Sequence, residues 1–397
     1  MSSDTTTMEA QAEAQPTPWR QLPALAIALG LVGCIVGFVA EGSKQFAHSY
    51  LVAFMFFLSI CLGGFFMVLI HHLFDAWWSV PIRRYSEHLA CLLPWMSIFF
   101  LPIGLLAPEL YPWMSMKPGE SHALDVKAVL FNSSTWYVSS AVLFGIWALW
   151  THKLRAWSLE QDEDGAAHCT IYMRRWACSG IFVFAFTLTA AAIFWMKSQE
   201  HQWFSTMYGV YYFAGSVWVT LGTSYAIALA MKRTGTIPVI AREQFHCIAQ
   251  WLFAFTVFYA YITFSQYFLQ WNAAMPEETF WYVKREQGTW AYVGWVIILG
   301  HFLVPFLTML RIDAKLSLCV MIPIIAWVWL MHFIDMQYNV MPLIHADGPS
   351  IALSDGAAIL FIGGCLAWLF LRMVNKHPAF PQKDPRMHEV LKNQAHS

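Results

Sequence analysis

His71 and Asp75 stand four residues apart, the spacing that sets two side chains one above the other on a helix face, with His72 beside them. A short turn later Arg84 lies four residues before His88, and Glu87 falls between them. Imidazole titrates near neutrality and a neighbouring carboxylate can take or return a proton, so this set is equipped to pass protons. The competing reading is interfacial: long polar side chains at helix ends reach into lipid headgroups. For Arg83 and Arg84 individually the interfacial role is the expectation. For His71, Asp75, Glu87 and His88 together both readings stay open.

Three further ionisable residues lie deep in apolar sequence, where such groups are costly and are functional candidates by default. His301 follows Gly300 and precedes Pro305 by four residues; a neutral imidazole hydrogen-bonded to a neighbouring helix is the ordinary reading, a proton station the sharper one. His332 and Asp335 are one helical turn apart. Ser216, Thr220, Thr223 and Ser224, with Thr256, Thr263 and Gln266 on the next apolar stretch, could join helices or line a water file. His88 and His246 raise the question of a haem held between helices, but nothing else in the sequence supports one. The eight cysteines form no CxxC pair, so neither an iron–sulfur cluster nor attached c-type haem is expected on this chain. Nucleophile elbows, phosphate loops and HExxH are missing, and no catalytic or metal-binding residues are expected.

These residues are carried by a very apolar chain. Of 397 residues 58% are hydrophobic and 12% charged, about half the charged fraction of soluble domains. The apolar residues fall in blocks of about 20 or more, the length that spans a bilayer core. Backbone exposed to lipid must satisfy its own hydrogen bonds, so the blocks are helices. The expected fold is an all-α polytopic membrane protein of about ten transmembrane helices, near 21–40, 49–73, 86–107, 130–152, 174–196, 204–231, 243–271, 289–310, 314–336 and 353–373. Polar tails at 1–20 and 374–397 flank this transmembrane domain (21–373), and no cleavable signal peptide is expected.

Lys and Arg set the orientation. With the N-terminus inside, 17 of the 23 fall on the cytoplasmic side, and Lys44, Lys117, Lys127, Lys197, Lys284 and Arg285 fall outside. Both termini are therefore expected in the cytoplasm. The outer loops 108–129 and 272–288 are rich in Pro, aromatic and acidic residues and suit docking. Net charge is −1 and no basic cluster stands out, so nucleic acid is not an expected partner.

A weak internal repeat aligns Tyr50 with Tyr208, Gly64 with Gly222, Arg84 with Arg242 and His88 with His246 at one constant offset. It relates residues of about 46–197 to about 203–337, which predicts two four-helix bundles (helices 2–5 and 6–9) with helices 1 and 10 outside them.

Four stretches carry a family resemblance: HHLFDAWWSVPIRRYSEHL (71–89), FSTMYGVYYFAGS (204–216), FSQYFLQWNAAMPEETFWYVKREQGTW (264–290) and HFIDMQYNVMP (332–342). Over about residues 46–373 the chain resembles the NrfD-like membrane subunits of bacterial alternative complex III, of the type called quinone-binding subunit 2 or F subunit. The resemblance implies ten helices in two bundles, residence in a bacterial inner membrane, and no prosthetic group on this chain. It also implies partners: a sister NrfD-like C subunit, a periplasmic iron–sulfur subunit, and multihaem and monohaem c-type cytochromes carrying the haem c. A terminal cytochrome oxidase would accept the electrons. Quinone or quinol contact by this chain stays open.

Together these readings give the expectation of a cofactor-free subunit of a quinol:cytochrome c (or quinol:oxidase) oxidoreductase, acting as a scaffold and proton path. His71, His72, Asp75, Glu87 and His88 would form the cytoplasmic mouth, with His246 near that end, His301 an inner station, and His332 with Asp335 toward the outside. A proton-coupled secondary transporter and a purely structural anchor are the alternatives.

Overall fold

A computed structural model describes residues 21–117 and 119–394. The polar tail expected at 1–20, with Arg20, lies outside the described residues. Among the described residues all regular structure is helical, and nine segments are long and apolar enough to cross a membrane. They are α1 (Gln21–Glu41), α2 (Ser43–Phe74), α3 (Trp77–Leu105), α5 (Ala167–Glu200), α6 (Tyr208–Arg233), α7 (Arg242–Ala273), α8 (Trp290–Thr308), α9 (Leu318–Leu343) and α10 (Leu353–Lys376). Between α3 and α5 runs α4 (Ser133–Asp164), equally long but richer in Trp, Ser and charge, which lowers its mean hydropathy. The chain is a multi-pass, all-α membrane protein.

Helix ends follow local chemistry. The Asn132 side chain accepts the Thr135 amide and opens α4, and Gly165, at φ 65°, closes it. Gly42, at φ 86°, makes the single-residue break between α1 and α2. The stretch expected as one helix at 86–107 is instead a chain of short pieces, Val80–Ala90, Leu93–Phe99 and Leu101–Leu105. Pro94 and Pro102 remove backbone donors there and restart the helix. The helix expected at 130–152 runs on to Asp164, so its last three turns leave the apolar block and carry Arg155, Ser158 and Gln161.

In packing, α2 is the hub: it touches α1, α3, α5, α6, α9 and α10, and 94% of its most apolar window is buried. Such close approach needs small residues; a Cβ at Gly63 would collide with Thr220 of α6. Contacts group α2, α3, α4 and α5 on one side and α6, α7, α8 and α9 on the other, joined along α2 and α6, while α1 and α10 pair with each other outside. The repeat-related residues sit in unlike surroundings. Arg84 is buried and Arg242 exposed; Gly64 meets α3, whereas Gly222 meets Val328 of α9.

Candidate functional site

At the end of the bundle where α2 meets α3, the expected residues come together, but as a closed ionic network. Glu87 accepts from Arg84 at 2.9 Å, Arg155 at 2.7 Å and the Ser158 hydroxyl at 2.6 Å, and pairs with Arg83 at 3.1 Å. Arg83 also reaches Asp384 at 2.5 Å, and Arg84 pairs with Asp162. Arg83 and Arg84 are 1% and 0% exposed, so the expected headgroup snorkelling is wrong for both. A guanidinium meets several carboxylates in fixed geometry, and here that geometry compensates burial.

The last segment of the chain covers this network. Phe380, Met387 and Val390 pack on Trp77 and Val80, and Arg386 donates to His71 Nε2 at 3.1 Å and to Asp75 at 2.5 Å. Asp75 ends α2 in a left-handed conformation (φ 53°), stays partly exposed and also pairs with Arg174. His71 Nδ1 meets the Ser79 hydroxyl at 2.6 Å, and both ring nitrogens of His72 are buried without a partner. Burial raises the Asp384 carboxyl pKa, but Arg83 and Arg386 outweigh it and hold the group below its ordinary value. His88 touches Arg155, Phe370 and His377, and none of its contacts is with His246, which is half-buried on α7.

The second cluster joins α8 and α9, which pack directly on each other. His301 lies in a π-helical turn, Ile298–Leu303, a local widening that re-aims a side chain. Its ring is stacked between Trp218 (centroids 3.7 Å apart) and Tyr259 (3.6 Å), and neither of its nitrogens has a hydrogen bond. The hydrogen bond expected for this histidine is thus replaced by two aromatic faces. His332 Nε2 meets the Ser59 hydroxyl at 2.8 Å, leaving Nδ1 without a partner. The Tyr211 hydroxyl donates to Asp335 Oδ1, and the Tyr259 hydroxyl also lies beside this carboxylate. Asn339 donates to the Tyr211 oxygen at 2.7 Å and accepts from Tyr208 at 3.0 Å.

His301, His332 and Asp335 each bring one donor atom within 4.8 Å of the others, and all are 0–1% exposed. Orphaned buried polar atoms are rare and call for a ligand, a water or a proton. Two imidazoles and a carboxylate can hold a divalent cation or share one proton. The proton leaves the cluster neutral when one imidazole is charged, whereas a divalent ion leaves net positive charge in an apolar interior. Among the hydroxyls of α6 and α7, Ser216, Thr220, Thr223 and Thr256 each bond the carbonyl four residues back, whereas that of Ser224 is buried without a hydrogen bond.

Several partners were not singled out from the sequence: Arg155, Ser158, Asp384 and Arg386 in the ionic network, and Ser59, Tyr211, Tyr259 and Asn339 in the second cluster. The apolar residues Phe380, Met387 and Val390 within a polar tail were the available sign that it docks. A scan against protein-family models and a search of the curated proteins each found no match to this chain.

Proposed function

We propose that this chain is a cofactor-free membrane subunit of a quinol-oxidising respiratory assembly of the alternative complex III type, seated in a bacterial inner membrane with both termini inside. In this reading it scaffolds the sister membrane subunit and the iron–sulfur and cytochrome c subunits. It also carries protons through His301, His332 and Asp335. The observation that carries the reading is this buried cluster, in which His301, His332 and Asp335 each bring one ligand atom within 4.8 Å of the others and which holds ring nitrogens without a hydrogen bond. The motifs at 71–89, 204–216, 264–290 and 332–342 support the assembly to which it is assigned.

The mouth at His71, His72, Asp75, Glu87 and His88 favours a second role, structural anchoring. Glu87 and Asp384 are saturated with ion pairs, and a saturated network fixes helices rather than exchanging protons. The test has two parts. Native gels of membranes stained for haem should show the chain comigrating with c-type haem; migration alone would favour a secondary transporter. In the assembled complex, Asp335→Asn should lower protons moved per electron without changing subunit content, and an unchanged ratio removes the proton role.

A further inference from the structure

At the end of the bundle away from the arginine network, two ammonium groups converge on one pair of phenyl rings. Lys127 Nζ lies 3.7 Å from the Phe204 centroid and 5.9 Å from that of Phe131. Lys197 Nζ lies 5.8 and 5.9 Å from the same two rings. Lys197 is 8% exposed, and its ammonium group has neither a hydrogen bond nor an ion pair among the described residues. Lys127 donates to the His201 carbonyl at 2.7 Å and meets no carboxylate among the described residues. The nearby acids are engaged elsewhere: Glu200 is held by Lys284 at 3.1 Å and Arg285 at 3.2 Å, and Asp125 accepts the Gly119 amide.

Two like charges held together, one of them nine-tenths buried, are unfavourable unless an anion joins them. Aromatic faces offset part of this, but a ring quadrupole does not neutralise a charge. Next to Lys127 in the chain, Val126, Val129 and Leu130 are 71%, 83% and 56% exposed, an apolar face just ahead of α4. We infer that Lys127 and Lys197 bind the phosphate of a phospholipid headgroup whose acyl chains lie on Val126, Val129 and Leu130. The two Nζ groups supply charge-assisted hydrogen bonds to the phosphate oxygens, with the buried Phe131 ring behind them and the exposed Phe204 ring at the edge of the site.

Native mass spectrometry of the full purified chain reads the site directly, with phosphatidylglycerol as the probe. Wild type should retain one lipid through mild delipidation, and the Lys127→Gln/Lys197→Gln variant should bind it about tenfold more weakly. Adding phosphatidylglycerol to delipidated wild type should raise Tm, with no rise in the variant. Because the variant removes like-charge repulsion, its Tm without lipid should match or exceed that of wild type, so weaker retention cannot reflect misfolding. Equal retention by both proteins overturns the inference. So does an equal Tm rise with inorganic phosphate, which would make the site one for a free anion. Carbodiimide coupling of Lys197 to a carboxylate of another subunit in the intact assembly would also overturn it, by identifying a protein occupant.

Discussion

Arg386 donates to Nε2 of His71 across 315 positions of sequence, and it closes the end of the bundle by joining the last segment of the chain to α2. The same guanidinium reaches Asp75 and Asp384, so one residue ties the helix end to the covering segment. Arg386→Ala should therefore free the segment after Lys376. Loss of hydrogen bonds to charged groups costs about 1–3 kcal/mol. Limited trypsin digestion should cut the variant at Lys376 or Lys383 while wild type resists; equal cutting would show that the apolar contacts of Met387 and Val390 suffice.

Among the described residues Glu87 is the one acid facing Arg84 and Arg155 together, and it also meets Arg83. Glu87→Gln keeps the shape but leaves three buried guanidinium groups short of charge. Breaking a buried pair in this way costs about 3–5 kcal/mol. The expected outcome is a large fall in folded yield and Tm. Asp75→Asn, at a partly exposed site, should have a much smaller effect in the same assay.

The attachment of the C-terminal segment should also respond to acid in a definite direction. The Asp384 pKa is depressed in the folded protein, so its stabilising contribution is complete above the ordinary aspartate value of about 3.9 and is lost as pH falls through the lower folded value. Hydrogen exchange of residues 384–392 should stay slow from neutral pH down to that range and quicken below it. Asp384→Asn should abolish the pH dependence; exchange that quickens between pH 7 and 5 would assign the attachment to another group.

His301 offers a separation of packing from proton chemistry. Phenylalanine can occupy the stack between Trp218 and Tyr259, so His301→Phe should fold within about 1.5 kcal/mol of wild type, the usual cost of a volume-conserving change. Proton movement per electron in the assembly should fall as it does for Asp335→Asn. A fall in one variant only would place the path outside this cluster.

The sequence by itself determined the class of the protein. Blocks of about 20 apolar residues admit only spanning helices, because a backbone in lipid must bond to itself. The one-turn spacing of His332 and Asp335 likewise put both on one helix before any packing was known. Only the tertiary structure decided what these residues meet. His301 and Asp335 lie on different helices, and their convergence goes with a π turn in α8 and with the contacts that α6 and α7 supply, Trp218 and Tyr259 stacking on His301 and Tyr211 bonding Asp335. Arg83 and Arg84 looked interfacial because charge at a helix end ordinarily is. Glu87 lies one turn along the same helix, but their burial also required Arg155 and Asp162 to arrive from α4 and Asp384 from the segment after α10, and such long-range pairing leaves no trace in local spacing. Lys127 and Lys197, likewise counted only as outer charges, share their two rings because the loop after α3 folds back over the end of α5.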